Sequence, residues 1–554
     1  MSRRTFGNLG DSKGGDLLAG LKAKLTPAKA PAIPAPAASR PCDDLERQMA
    51  DSNRRHRPHQ TPDAKRAARG IKKAQAGKDK KNGVLVIKAR TAEERALYRQ
   101  AVAPSLPTAE VTPSAPVVKA VHTFGEVAFR KLAPLRESLE GFIANHHGPS
   151  DVPPADAAVV IRRVKQGAEK SATIADRDQG YFLGYDFGTS TTKVVARDPY
   201  SAGGMDEAFA IDVPLSLASG GQPHLFPTAV YWNAERDHFS LVPADGYILL
   251  DSFKSALIQG RGMRICKGSG LTMAEAATAF VALHLAYCLG AAIEEKPNFK
   301  LAFINVGIPV AVFDGQENVA LFDRVLTAAT RLVGEAAGLS RVQVKAAFES
   351  KDAAFLPFER QAELSGAIAG YCAATRHYLG GHMIIDCGSA TLDIVTFDLS
   401  QQTHRPIGIY AACVENLGAD ACALYVKSGR SVEECRDAAR FEEHLVYKRT
   451  ISTKPSLFGQ EDGRYPYQII LIGGGIHSKV YKSFLKTLAV AFQKPFHHPA
   501  IAPTLRRDPA CEAGRLILAD GLARDPIDLR GIALPKPPTP PGWSDPVAPG
   551  KEQV

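Results

Sequence analysis

The feature that most constrains this chain is a short motif that occurs twice. The segments GYDFGTSTTKVV (Gly184–Val195) and IIDCGSATLDIV (Ile384–Val395) share an aspartate, any residue, a glycine, a small hydroxyl residue, a small residue and a threonine, with apolar residues on both sides. Strand-forming residues around such a turn predict a β-hairpin, here with strands from Phe182 to Tyr185 and from Thr192 to Ala196. A repeated hairpin predicts two similar lobes with a ligand held between them.

The composition of these turns indicates what they bind. A small, hydroxyl-rich turn exposes backbone N–H groups and hydroxyls to an anion, and a carboxylate at its rim, such as Asp186, can hold a hydrated cation. The combination suits the phosphates of a nucleotide together with Mg²⁺. A third turn, IILIGGGIHSK (Ile469–Lys479), ends an apolar strand and opens a helix, and its glycines permit close approach of the backbone to a base or sugar.

Length and composition limit the class of protein. A chain of 554 residues exceeds one ordinary core, which indicates two or more domains. We find no run of about 18 apolar residues and therefore predict no transmembrane segment. The nine cysteines are scattered without a C-x-x-C pair, which favours a reduced, cytoplasmic protein over a zinc module or a secreted disulfide scaffold.

The pattern of strands, helices and turns divides the chain into five parts. Strands and helices alternate from Tyr181 to about Arg530, which is typical of an α/β fold. A basic, Pro-rich segment and a segment with helical periodicity precede this region, and a Pro-rich tail follows it. The predicted divisions are residues 1–116 (basic arm, largely disordered), 117–179 (helical extension), 180–380 (first lobe), 381–531 (second lobe) and 532–554 (tail).

The basic charge is concentrated in the N-terminal arm. The first 100 residues contain 23 Lys and Arg and 10 Asp and Glu, a net charge of +13, whereas the remaining chain contains 45 and 48, a net charge of −3. The arm has too few apolar residues to fold alone and too few aromatic residues to stack on bases. We therefore expect a non-specific contact of the arm with nucleic acid or another acidic surface, or a solubilising role without a partner.

The three turns together resemble the motifs of a known family. GYDFGTSTTKVV, IIDCGSATLDIV and LIGGGIHS are similar to the phosphate-one, phosphate-two and adenosine motifs of the actin-like ATPase superfamily. This superfamily includes the seventy-kilodalton heat-shock chaperones, actins, bacterial filament ATPases and sugar kinases. The resemblance covers about Tyr181 to Arg530, and it implies a two-lobed fold of duplicated ribonuclease H-like domains that binds ATP or ADP with Mg²⁺.

The resemblance assigns roles to individual residues of the turns. It implies that Asp186 and Asp386 hold Mg²⁺ through its water molecules, because Mg²⁺ dehydrates reluctantly. The implied phosphate ligands are Gly188, Thr189, Ser190, Thr191, Gly388 and Ser389, and the implied adenosine ligands of the third turn are Gly473, Gly474 and Gly475.

Three further segments resemble the heat-shock chaperones in particular. SFKSALIQGR places Lys254 at the position of the catalytic lysine, which stabilises charge on the transferring phosphoryl group. AELSGAIAGY places Glu363 at the acidic position near the metal, and Glu363 and Asp393 are expected to orient the attacking water. YKRTIST resembles the chaperone segment that contacts the nucleoside. The resemblance implies that Lys448, Arg449 and Ser452 make these contacts.

The chain also departs from the chaperones. Gly388-Ser389-Ala390 replaces the triple glycine of the phosphate-two motif, so any ATP hydrolysis is expected to be slow. The segment between YKRTIST and LIGGGIHS is short, and a Pro-rich tail stands where a chaperone has its peptide-binding domain. We therefore expect an ATP-binding, chaperone-like protein that acts as a nucleotide-dependent conformational switch on an unknown protein partner.

Two alternatives stay open. The sequence GTSTTK also resembles sugar-type small-molecule kinases, although no motif for a base against an acceptor is evident. The second alternative is a filament-forming, actin-like ATPase whose basic arm tethers it to DNA or a membrane. Salt-sensitive sedimentation with ATP would separate a filament from a switch.

Overall fold

The computed structural model describes residues 152–176, 179–200, 207–313, 316–374, 377–399, 407–459, 467–492, 496–499, 505, 513–525 and 532–533. The predicted basic arm, residues 117–151 of the helical extension and residues 534–554 of the tail lie outside this set. By its contacts the chain divides into Met1–Gly83 and Val84–Val554, and every described residue belongs to the second unit.

The described residues form a mixed α/β structure, as the alternation of strand and helix patterns predicted. The strands are β1 (Tyr181–Asp186), β2 (Thr191–Asp198), β3 (Glu207–Ala210), β4 (Phe226–Pro227), β5 (Ala229–Asn233), β6 (His238–Ser240), β7 (Tyr247–Asp251), β8 (Leu301–Ile308), β9 (Phe358–Ala362), β10 (Gly380–Cys387), β11 (Leu392–Leu399), β12 (Ile407–Glu415), β13 (Gln468–Ile472) and β14 (Ile532–Ala533). The helices are α1 (Pro154–Lys170), α2 (Phe253–Ile258), α3 (Met273–Glu295), α4 (Val310–Phe313), α5 (Gln316–Leu332), α6 (Arg341–Glu349), α7 (Glu363–Ala373), α8 (Ala419–Lys427), α9 (Val432–Thr453), α10 (Pro455–Phe458), α11 (Lys479–Phe492) and α12 (Ala513–Leu522).

Four strands have the same arrangement in the two main sheets, β3-β2-β1-β8 in one and β12-β11-β10-β13 in the other, whereas β9 and β14 have no counterpart. In the first sheet the order is β3-β2-β1-β8-β9, and in the second it is β13-β10-β11-β12-β14. Strands β1, β2 and β3 pair antiparallel in sequence, and β1 also pairs parallel with β8. Strands β10, β11 and β12 likewise pair antiparallel in sequence, and β10 pairs parallel with β13. Strands β5, β6 and β7 form a separate small sheet.

Both predicted hairpins are present, and they have the same register. In the first hairpin Asp186 is the cross-strand partner of Lys193, and in the second Asp386 is the partner of Asp393. Each pair therefore spans the same number of residues across its turn, which the shared spacing of the two motifs requires. The residues of β1 are all buried, and apolar residues that are buried on both faces favour a central strand.

Helix α3 lies in the hydrophobic core that packs against the first sheet. It begins with a capping box, in which the Thr272 side chain and the Glu275 backbone and side chain satisfy the first turn. Among the described residues, α3 is the one helix long and apolar enough to cross a membrane, with a mean hydropathy of 1.8, a possibility that the sequence analysis overlooked. Because 94% of that stretch is buried inside the protein, α3 is better explained as a core helix.

Helix α1, the described part of the predicted helical extension, packs directly on α3. A Cβ at Gly167 would lie 1.8 Å from the carbonyl oxygen of Ala286, and one at Gly290 would lie 2.0 Å from that of Arg163. The two helix backbones therefore touch through glycines. The Arg163 guanidinium donates to Glu294 at 2.8 Å and to the Tyr287 hydroxyl at 2.8 Å, which fixes the register of the two helices.

Helix α12 connects the two sheets. At one end, the carbonyl of Gly514 accepts a hydrogen bond from the N–H of Gly473, which follows β13 of the second sheet. At the other end, Asp520 forms a buried ion pair with Arg197 of β2 in the first sheet. Between these ends α12 packs on α7, where a Cβ at Gly521 would lie 1.8 Å from the carbonyl oxygen of Gly366. The position of α12 is thus fixed on both sheets.

The close approach of α1 and α3 gives a testable stability difference between two glycines. We expect Gly290→Ala to lower the free energy of unfolding by about 2 kcal/mol, because the added methyl group collides with the Arg163 carbonyl oxygen. In an open helix the same change would be stabilising by up to about 1 kcal/mol. Gly338→Ala is the matched control, since its Cβ has no atom within 4 Å. Urea denaturation of both variants measures the difference, and equal stabilities would contradict the packing.

Candidate functional site

Three acidic residues lie where strands of the two sheets end. Asp186 is the last residue of β1, and Asp386 is the second-last residue of β10. Glu363 follows β9 directly and is the first residue of α7. Ligands of open α/β sheets bind beyond the carboxyl ends of parallel strands, and these residues lie at such ends. A carboxylate in the first turn of a helix is also stabilised by the helix dipole.

Two lysines pair with these carboxylates. The Lys254 Nζ of α2 lies 2.5 Å from Glu363 Oε1, and both side chains are buried. The Lys193 Nζ of β2 lies 2.7 Å from Asp186 Oδ2, across the first hairpin. The structure therefore brings together Lys254 and Glu363, which are 109 residues apart in sequence.

The second hairpin carries a carboxylate at the position where the first carries a lysine. Asp393 is the cross-strand partner of Asp386, as Lys193 is of Asp186. Asp393 is 5% exposed, and its Oδ1 has no hydrogen-bond partner. A buried carboxylate oxygen without a donor is costly, by about 1–3 kcal/mol or more. The site consequently contains an acceptor that the protein itself does not satisfy.

The pKa values of Glu363, Asp386 and Asp393 are raised, first by burial and further by neighbouring carboxylates. Burial raises the pKa of Asp386 to about 7; Lys193 lowers it, and Asp186 and Glu363 raise it further. Burial also raises the pKa of Glu363, against the lowering effect of Lys254. The pKa of Asp393 lies well above its usual range because of burial, with further increases from Glu363 and Asp386. These mutual effects place the acidic residues of both sheets in one cluster.

The cluster has more negative than positive groups. It contains the carboxylates Asp186, Glu363, Asp386 and Asp393 and the ammonium groups Lys193 and Lys254. With every group ionised, two negative charges stay unbalanced, and burying unbalanced charge is unfavourable. Protonation relieves this repulsion, as the raised pKa values show. A divalent cation would relieve it equally well, so the donor set and the unsatisfied Asp393 oxygen fit Mg²⁺.

This cluster is not arranged for direct coordination of a metal ion by several side chains. Within the described part of the chain, no three or more His, Cys, Asp or Glu side chains are grouped closely enough to hold a metal ion. A cation at this place would therefore keep most of its water molecules. Mg²⁺ commonly binds in that way, through few carboxylates and through the phosphates of a substrate.

The first turn is held from one side by Thr228. Its hydroxyl donates to the carbonyl of Gly188 at 2.8 Å, and its N–H donates to the carbonyl of Ser190 at 2.9 Å. In a planar trans peptide the C=O and the following N–H point in opposite directions. The N–H of Thr189 therefore points away from Thr228, and the turn presents it on its other side.

The second turn is held in the same manner by the N-terminus of α8. The carbonyl of Gly388 accepts from the N–H of Ala419 at 2.9 Å, and that of Ser389 accepts from the N–H of Asp420 at 2.9 Å. The carbonyl of Ala390 accepts from the N–H of Gly418 at 3.0 Å. By the same peptide geometry, the N–H groups of the turn point away from α8. Successive N–H groups on one side of a turn form an anion-binding concavity.

The third turn packs against the second hairpin. Gly473 has φ +83°, and a Cβ there would lie 2.2 Å from Asp386 Oδ1. A Cβ at Gly475 would lie 2.7 Å from the carbonyl oxygen of Gly388. Gly474 faces the Arg515 guanidinium of α12, whose Cζ would lie 2.6 Å from an added Cβ. Glycines are therefore required here by contact and, at Gly473, by conformation.

The predicted nucleoside ligands of α9 lie apart from the described contacts of the cluster. Lys448, Arg449 and Ser452 are exposed on the last turns of α9. The Ser452 hydroxyl donates to the carbonyl of Arg449 within the same helix. The structure thus places these three residues on a helix surface, and their role as adenosine ligands stays a prediction.

Sequence reasoning missed several residues that shape the site. Lys193 was overlooked although it stands within the first motif, and its place opposite Asp186 follows from counting across the hairpin. Thr228 and Asp420 hold the two turns from outside, through contacts made by separate segments of the chain. Arg515 belongs to α12, and nothing local in its sequence indicates that it reaches Gly474.

No protein-family model matches the chain, and no curated protein matches its sequence. The function is therefore inferred from the residues of the site and from their geometry.

The raised pKa of Asp386 predicts a pH-dependent stability difference. Asp386 has a pKa of about 7 in the folded protein, against about 3.9 in an unfolded chain. Between these values the folded protein binds more protons, so the stabilising contribution of this group is lost as pH rises from about 4 to 7. Asp386→Asn removes this dependence. The free energy of unfolding of the variant, minus that of wild type, should rise over this window by up to about 1.4 kcal/mol per pH unit.

Urea denaturation in EDTA, without nucleotide, measures this difference. Asp245→Asn is the control, because Asp245 is exposed and lies outside the cluster. A difference between Asp386→Asn and wild type that stays constant from pH 4 to 7 would show that Asp386 does not titrate in this range.

Proposed function

We propose that this protein is an actin-like ATPase in which the two main sheets form two lobes and ATP or ADP binds between their hairpin turns. The observation that carries the proposal is the repeated hairpin, whose Asp186–Lys193 and Asp386–Asp393 pairs stand at equivalent positions. The same order and direction of four strands in each sheet supports a duplicated fold. The acidic residues of both sheets interact in one cluster, as a ligand shared by both would require.

Charge balance supports a magnesium–nucleotide complex at this cluster. With every group of the cluster ionised, two negative charges are unbalanced, and Mg²⁺ would supply the positive charge that the cluster and the phosphates both need. Asp186 and Asp386 would hold the ion through its water molecules. Lys193, which pairs with Asp186 in the absence of ligand, would also be available to a phosphate oxygen.

The two turns would hold the phosphates mainly through their backbones. Thr228 and the N-terminus of α8 bind the carbonyls of the turns, so the N–H groups of Thr189 and Thr191 and those of Ser389–Thr391 are presented on the other side. Backbone N–H groups held in advance cost little reorganisation when an anion binds. Gly473–Gly475, which pack against the second hairpin, would let the nucleoside lie close to the backbone.

The buried Lys254–Glu363 pair supports slow hydrolysis of the terminal phosphate. Phosphoryl transfer requires positioning and charge neutralisation more than covalent chemistry by the protein. Lys254 would stabilise the charge of the transferring group. Glu363 and Asp393 would orient the attacking water.

Helix α12 supports a role as a conformational switch on a protein partner. It is attached to the second sheet beside Gly473 and to the first sheet through Arg197. A nucleotide that contacts both sheets would change their relative positions only if it binds one arrangement more tightly than the other. A chaperone-like switch of this kind is the function that we propose, and its partner is a protein of unknown identity.

Nucleotide binding is tested by isothermal titration calorimetry with ATP or ADP and Mg²⁺. We expect Asp186→Ala to weaken binding strongly, because it removes a cation-holding carboxylate and leaves Lys193 without its partner. Gly473→Ala should do the same, because its Cβ would collide with Asp386 and because φ +83° is strained for alanine. Asp245→Ala is the exposed control and should bind as wild type does. Absence of binding heat for wild type with either nucleotide would refute the proposal.

Hydrolysis is tested separately with Lys254→Ala. We expect this variant to lose turnover while its affinity for ATP changes little, since Lys254 would act mainly on charge that develops in the transition state. Lys296→Ala is the matched control, because Lys296 pairs with Glu207 away from the cluster. Phosphate release measures turnover and calorimetry measures affinity. Equal losses of affinity and turnover would instead indicate a structural lysine.

A further inference from the structure

The side chain of Ser389 points toward a carboxylate outside the cluster. Its hydroxyl donates to Asp420 Oδ2 at 2.6 Å, a short, charge-assisted hydrogen bond. Asp420 lies in the first turn of α8, a helix of nine residues, where a negative charge is favoured by the helix dipole. The serine hydroxyl has one proton, so while it donates to Asp420 it cannot donate to a phosphate.

The backbone around this pair is tightly fixed. The Ser389 carbonyl accepts from the N–H of Asp420 at 2.9 Å and from that of Ala421 at 3.3 Å. A Cβ at Gly418 would lie 2.3 Å from the same carbonyl oxygen, so the chain before α8 touches the turn directly. The side chain and the backbone of Ser389 are therefore both held on the α8 side.

We propose that Asp420 is a positioning residue of the second turn, which it serves by keeping the Ser389 hydroxyl on the α8 side. This inference rests on the proposed nucleotide binding, and it changes the role of Ser389, whose backbone and not its hydroxyl would contact phosphate. A serine hydroxyl without an assigned partner bonds readily to nearby backbone groups and so competes with the geometry of a turn. Asp420 prevents this competition.

The charge of Asp420 has a separate effect from its hydrogen bond. A carboxylate near a polyphosphate is repulsive, although the N-terminus of α8 offsets part of its charge. Asparagine keeps an oxygen acceptor for Ser389 and removes the charge. Alanine removes both. The two substitutions therefore separate the positioning of Ser389 from the electrostatics of Asp420.

The experiment measures the affinity for ADP with Mg²⁺ by calorimetry in four variants. We expect Asp420→Ala to bind about tenfold more weakly, the equivalent of one charged hydrogen bond at its lower limit. Ser389→Ala should lose less affinity than Asp420→Ala, because no hydroxyl then competes with the turn. The double variant Asp420→Ala/Ser389→Ala should recover the affinity of Ser389→Ala. Asp420→Asn should bind at least as tightly as wild type.

Two results would overturn the inference. If Ser389→Ala loses as much affinity as Asp420→Ala, the hydroxyl itself contacts the phosphate. If the double variant is as weak as Asp420→Ala, then Asp420 acts independently of Ser389, as a structural residue of α8 would. A double-mutant cycle on the free energy of unfolding, measured without nucleotide, keeps the test independent of binding. Lack of coupling in that cycle refutes the Ser389–Asp420 contact, whereas lack of ADP binding by wild type refutes the proposed function.

Discussion

The structure of the site depends on an excess of buried negative charge. The cluster has four carboxylates and two lysines; Lys193 pairs with Asp186, Lys254 pairs with Glu363, and Asp386 lies opposite Asp393. The protein tolerates this repulsion by protonating carboxylates such as Asp386, whose pKa reaches about 7. A buried excess of carboxylates rarely stabilises a fold. Residues with strongly perturbed pKa values cluster at functional sites. The cluster is therefore the best reason to assign a ligand to this protein.

The shared register of the two hairpins places charged residues at equivalent positions, and a difference at one of these positions leaves the charges unbalanced. The two hairpins have the same register, but one carries Lys193 where the other carries Asp393. The first hairpin is neutral as a pair, and the second has two like charges side by side. The difference at this one position makes the two hairpins unequal. Asp186 has a counter-charge opposite it in Lys193, whereas Asp386 lies opposite another carboxylate.

Local sequence predicted the parts of the fold and site that local chemistry determines. The hairpin strands follow from β-branched runs around a glycine turn, and Asp186 and Asp386 stand in the repeated motif. Glu363 was assigned by resemblance to the chaperones, and the structure places it directly after β9. Features that depend on distant segments could not be predicted in this way. The hold of Thr228 on the first turn, of α8 on the second and of α12 on both sheets arises from tertiary packing. The apolar helix α3 shows a limit of composition, because composition alone cannot separate a core helix from a membrane span.

The attachment of α12 has a consequence for synthesis of the chain. Arg197 and Asp520 are separated by 323 residues, and their buried ion pair joins the first sheet to a helix made much later. Until α12 has left the ribosome, Arg197 cannot form its ion pair with Asp520. The face of β1 and β2 that packs against α12 stays uncovered during this time. A contact of such long range closes slowly, and an apolar face exposed during synthesis invites association with other chains. The nascent first sheet is therefore most prone to such association before α12 is synthesised.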